Sequence, residues 1–111
     1  MEPFYSKPTM VKLIKISAHD CPICAELASV DIEVAEDYGL PVEVKELGDL
    51  AQENGALRDY VVGYHLDGDG AVIVPIYVIM DGLDCQASGE VKEGEELRNL
   101  ISAWQTWKAT K

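Results

Sequence analysis

Two cysteines three residues apart, in Cys21-Pro22-Ile23-Cys24, carry the strongest chemical signal in the chain. Only a thiolate attacks a disulfide, and the positive end of a helix stabilises a thiolate placed at its N-terminus. A separation of one helical turn lets the second sulfur reach the first, so a mixed disulfide can be resolved within the molecule. Cys21 precedes a predicted helix and is the candidate exposed nucleophile. Cys24, one turn in, is the candidate buried resolving thiol, and Pro22 suits the first helical position. Two plainer readings compete. A CxxC can be half of a zinc site, but a structural site wants two more Cys or His ligands. Of the remaining candidates, His19 lies too close in sequence for an easy tetrahedral corner, and His65 and Cys85 do not form a second pair. The pair can also be structural only. Redox chemistry is the more specific reading, because the pair falls between a predicted strand and a predicted helix; no metal and no cofactor are expected.

The elements that must position this pair follow from periodicity. Val11 to Ser17 (VKLIKIS) is a short β-branched run of strand length. Ala25 to Tyr38 has no Gly or Pro, and Cys24, Leu27, Ala28, Val34, Ala35 and Tyr38 share one helical face, with Asp31 the single misfit. Gly39 and Pro41 stop that helix. Val42 to Leu47 alternates at period two, a second strand. Asp49 can cap a helix from Leu50 that buries Leu57, Tyr60 and Val61, and Gly55 can split it. Asp67-Gly68-Asp69-Gly70 is a loop; it resembles the opening of a calcium site, but no glutamate follows at the required distance. Ala71 to Met80 is a third strand interrupted by Pro75, Asp81-Gly82 a hairpin turn, and Cys85 to Ser88 an edge strand. Glu95 to Lys108 carries Leu97, Leu100, Ile101, Trp104 and Trp107 at helical spacing. The order β-α-β-α-β-β-α implies an α/β fold with a mixed sheet covered by helices on both faces.

Composition narrows the function. A chain of 111 residues is expected to be one domain over residues 1–111, with a core large enough to need no disulfide or metal staple. Nine basic against twenty acidic residues give a formal charge of −11, which opposes binding to nucleic-acid phosphates or anionic lipid and favours a soluble monomer. Three cysteines are not a secreted disulfide framework. No apolar run approaches membrane-spanning length, and the first residues lack a basic region followed by an apolar stretch. A cytoplasmic location is expected.

Pro75 is a second point of interest, since proline inside a strand removes a ladder hydrogen bond. It can be a strand-start proline. It can instead follow a cis Val74–Pro75 peptide beside the dithiol, exposing Val74 backbone groups to an extended substrate.

With CPIC after a strand, Val74-Pro75 before a strand, then Asp81-Gly82, Gly89 and a terminal amphipathic helix, the chain resembles the thioredoxin family from about Val11 to Trp107. Val34-Ala35-Glu36-Asp37-Tyr38 also looks like the end of that family's active-site helix. The resemblance implies a thioredoxin fold, thiol–disulfide oxidoreductase activity and a cis-proline at Pro75. It makes Pro22, Ile23, Val74, Pro75 and Ile76 the candidate substrate-contact surface. Its implied partners are disulfide-containing client proteins and a thioredoxin-reductase-type electron donor. The chain departs from the pattern in several places. Pro22-Ile23 replaces Gly-Pro and is nearer the Pro-Tyr of glutaredoxins. Asp20 stands where a tryptophan is usual, the N-terminal strand and helix are shortened or absent, with room in residues 1–10 for only a short strand, and about ten residues are inserted near Gly63 to Ala71.

The family also keeps a buried aspartate–lysine pair beneath its dithiol. Here the aspartate position is Lys15, and an ungapped count puts the lysine position on Glu46. A swapped Lys15–Glu46 pair is therefore expected, with Glu46 accepting the Cys24 proton during resolution. Alternatively, both side chains point to solvent at the sheet ends. Asp20 is read as a plain helix cap, Cys85 as a half-buried strand residue. A glutaredoxin-like activity and a binding module without turnover remain the other functional readings; the first needs basic residues near the pair, where this chain has His19 and Asp20.

Overall fold

Strand β1 (Val11–Ser17) is the strand on which the rest is built, and apolar side chains on both of its faces are buried, with only Lys12 and Ser17 partly open to solvent. Val11 and Leu13 enter one core with Val34, Leu97, Ile101 and Trp104, while Ile14 and Ile16 enter a second with Leu50, Val61 and Val78. Helices on both sides explain why VKLIKIS lacks clean alternation. The computed structural model describes residues 11–110, so the short strand allowed within residues 1–10 lies outside the described residues.

The remaining elements are α1 (Pro22–Glu26), α2 (Ala28–Tyr38), β2 (Val42–Glu46), α3 (Leu47–Ala51), α4 (Ala56–His65), β3 (Ile76–Asp81), β4 (Asp84–Glu90) and α5 (Gly94–Ala109). The sheet order is β2-β1-β3-β4, with β1 parallel to β2 and antiparallel to β3. Helices α1, α2 and α5 supply the first core's side chains, and α3 and α4 the second's. The expected mixed sheet between helical layers is present.

Local chemistry accounts for the differences from expectation. The helix read over 25–38 is divided at Leu27, whose ψ of −3° departs from the helical value and turns the axis. The helix read from Leu50 starts at Leu47 and breaks before Gly55, whose extended backbone leads into α4. The strand read from Ala71 starts only at Ile76: Pro75 cannot donate to the ladder, and upstream only Val72 forms an isolated bridge, to Leu66. Gly82 turns the β3–β4 hairpin at φ +61°, a left-handed conformation that glycine adopts without strain. The edge strand is longer than read, because pairing with β3 extends from Asp84 to Glu90. The Asp67 loop closes on itself: Asp67 Oδ1 accepts the amides of Asp69 and Ala71.

Candidate functional site

The residue before a proline is pushed to extended backbone, which is the geometry an N-cap requires. Cys21, ahead of Pro22, has φ −119° and ψ 96°, and its Sγ accepts the Cys24 amide at 3.1 Å. The cap is therefore Cys21 and not Asp20, the residue that side-chain preference alone favours. Cys21 and Cys24 are joined as a disulfide with their Cα atoms 5.2 Å apart. Cys24 is buried and Cys21 half-exposed, so one sulfur is open to attack and the other is shielded.

Beneath the pair lies a buried ion pair. Lys15 and Asp31 are 3% and 6% exposed, and Lys15 Nζ donates to Asp31 Oδ2 at 2.7 Å and to the Cys24 carbonyl at 2.6 Å. The Tyr77 hydroxyl donates to Asp31 Oδ1. Burial, then the hydrogen bond to Asp31 and its charge, push the Tyr77 phenol well above its ordinary range, so it stays a donor. The Lys15 ammonium also lies 5.9 Å from the centre of the Tyr77 ring. Both carboxylate oxygens and two of the three ammonium protons are thus satisfied, which is what makes burial of the two charges tolerable.

The expected Lys15–Glu46 pair is not formed. In the β1–β2 register Glu46 is level with Ser17 and Lys15 with Val44, so Glu46 sits at the strand end. There its Oε2 lies 3.0 Å from Nδ1 of His19, which is 88% exposed. Lys15 points instead under α2, where Asp31 meets it. Sequence reasoning missed Asp31 and Tyr77. The signal for Asp31 was present as the one carboxylate on the apolar face of its helix, seven residues after Cys24.

The candidate contact residues are distributed unevenly. Pro22 is exposed and Ile23 half-buried, packed against the first core. The Val74–Pro75 peptide is cis. Ile16 pairs with Ile76, so Val74 and Pro75 lie at the end of the sheet where β1 leads into the cysteine pair. Val74 is half-buried and Pro75 buried. Ile76 is 0% exposed and belongs to the second core, which excludes its side chain from a contact surface. Both faces of β3 are covered by a core, so neither orientation on this strand opens to solvent. Cys85 is a free, half-buried thiol; burial and then the Asp84 charge push it above the ordinary cysteine range, so it is a poor nucleophile.

A cavity of about 670 Å³ opens beside the disulfide, with Cys21, Cys24, Lys15 and Asp31 at its walls and floor. It continues between α2 and β2 past Ile32 and Val44. Among the described residues no group of three or more His, Cys, Asp or Glu side chains is arranged to hold a metal ion, and no helix is long and apolar enough to cross a membrane.

No protein-family model matches the chain, nor does any curated protein. Solved structures do. A point-mutant thioredoxin from Halobacterium salinarum NRC-1 aligns with a TM-score of 0.57 at 23% identity, covering 86% of this chain and 75% of that one. Oxidised thioredoxin from Plasmodium falciparum aligns at 0.60 with 11% identity, over 86% and 82%. Thioredoxin f2 in complex with ferredoxin:thioredoxin reductase gives 0.60 at 20% identity, over 87% and 79%. At these identities the likeness is one of fold.

Proposed function

We propose that this chain, a thioredoxin fold with a cysteine pair at its strand–helix junction, is a thiol–disulfide oxidoreductase that reduces disulfides in client proteins. The observation that carries the reading is the Cys21–Cys24 disulfide capping α1, with Cys21 half-exposed over a buried Cys24. In the reduced protein the Cys21 thiolate attacks a client disulfide. A Cys21–client disulfide forms and the first client sulfur leaves as a thiolate that takes up a proton. Cys24 loses its proton and attacks Cys21 Sγ. The second client thiolate leaves, and the protein is oxidised by two electrons.

Asp31 takes the part that counting along the sequence assigns to Glu46. It faces the same cavity as Cys24 and is the buried carboxylate available to accept the Cys24 proton, with Lys15 holding it and the Cys24 carbonyl in place. Lys15 is a positioning residue, Asp31 is the proton acceptor, and Glu46 belongs to the rim. Pro22 and the Val74–Pro75 backbone form the contact surface. A dithiol or reductase-type donor regenerates the pair, by analogy with the reductase-bound thioredoxin f2. A reducing compartment such as the cytoplasm suits this direction.

Reduction of insulin disulfides by dithiothreitol tests the reading. The protein accelerates it, Cys21→Ser abolishes the acceleration, and Cys24→Ser traps a mixed disulfide. No acceleration over background points to a binding module, and acceleration only with glutathione points to glutaredoxin-like chemistry. A reduction potential near roughly −270 mV fits a reductant, and one near roughly −120 mV an oxidant.

A further inference from the structure

The cavity beside the disulfide is one end of a groove. Its sides are α2 and the outer edge of β2, which among the described residues pairs with β1 alone. Ile32 on α2 is 65% exposed and Val44 on β2 61%, large apolar side chains facing the groove from opposite walls. A strand edge with no further partner among the described residues, beside an apolar trough, is a setting in which an extended segment can add as a further strand.

The charge around this trough has one sign. Glu36 and Glu46 line it, and exposed Asp20 and Glu26 flank the disulfide at its end. The two basic side chains among the described lining residues are committed, Lys15 to Asp31 and His19 to Glu46. The chain as a whole carries −11. A second copy of this chain would bring the same acidic rim against itself, whereas a cationic occupant is attracted to it.

Resting on the oxidoreductase reading, we propose that this groove seats an extended, cationic segment of the disulfide-bearing client. An apolar side chain of that segment lies between Ile32 and Val44, its backbone runs along β2, and basic residues on either side meet Glu36 and Glu46. The groove leads the client's disulfide to Cys21, so the preferred clients are basic around their disulfides.

Two peptides test this, each closed by one disulfide around a central leucine and flanked by lysines in one and glutamates in the other. With dithiothreitol recycling, kcat/KM is higher for the lysine-flanked peptide by about tenfold at low salt, from charge complementarity. The ratio falls towards one at 1 M salt, where the screening length is about 3 Å. Glu36→Lys lowers the low-salt ratio, whereas Asp84→Lys, the same charge change on the opposite edge strand, leaves it unchanged. Equal rates for the two peptides overturn the proposal while leaving the oxidoreductase reading intact. A ratio that survives Glu36→Lys, or that falls equally in both variants, also overturns it, because the charge then acts elsewhere. So does a protein that sediments as a dimer and loses the ratio, since the groove would then be occupied by a second copy. Reduction of neither peptide defeats the oxidoreductase reading itself.

Discussion

Lys12 and Lys15 lie three residues apart on the same strand and each forms an ion pair, yet the two pairs are physically different objects. Lys12 meets Glu43 at 2.9 Å on the surface, with the side chains 40% and 48% exposed. Lys15 meets Asp31 at 2.7 Å with the side chains 4% and 8% exposed. An odd separation on a strand sends them to opposite faces. One face at that point is open to water; the other is closed by α2. Water already solvates Lys12 and Glu43, so their contact adds little. Lys15 and Asp31 have given up that solvation and depend on each other, on Tyr77 and on the Cys24 carbonyl. The placement suits the proposed role of Asp31 as a carboxylate lining the same cavity as Cys24.

Breaking the buried pair gives the largest effect. Asp31→Ala strands the Lys15 ammonium and lowers stability by about 3–5 kcal/mol, read from the urea midpoint. Lys15→Met with Asp31→Leu removes both charges and recovers most of that loss. If the double variant is no more stable than Asp31→Ala, the pair is not what stabilises this region. Asp31→Asn, which keeps the shape but gives up the charge, separates chemistry from packing. The Cys21 mixed disulfide accumulates about tenfold in this variant near neutral pH, and the excess disappears at high pH, where Cys24 ionises unaided. A pH-independent excess would leave Asp31 a purely structural part.

The surface pair gives the smallest effect. A double-mutant cycle on Lys12 and Glu43 yields a coupling below about 1 kcal/mol that vanishes in high salt. Glu43 is held below its ordinary value of 4.5, first by the hydrogen bond from Lys12. A carboxylate lowered in the folded state adds stability above its unfolded value and loses it as pH falls through the folded one. The coupling therefore fades below about pH 4.5. A coupling that persists in strong acid or high salt would make the two pairs alike and remove the contrast.

A similar contrast holds among the cysteines. Cys21 sits at a helix start and half-exposed, whereas Cys85 sits on an edge strand beside Asp84, which opposes its ionisation. Spacing alone singled out the first pair, because the chemistry of exchange requires two sulfurs within reach, and one helical turn supplies that reach. The order of elements was equally legible, since periodicity, prolines and glycines act over a few residues. VKLIKIS, Gly55 and Pro75 each did locally what their side chains dictate.

The partner of Lys15 was not legible. Counting along the chain pointed to Glu46, but β1–β2 register leaves Glu46 at the strand end beside His19 and brings Asp31 from α2 over the lysine. The sequence by itself determined the strand–helix junction, the cap-ready residue before Pro22 and the presence of one carboxylate out of place on an apolar helix face. Only the tertiary structure decided that this carboxylate, with Tyr77 from β3, closes the charge beneath the disulfide. The reason is that local preferences depend on neighbouring residues, whereas the partner of a buried charge is whatever group packing brings across the core.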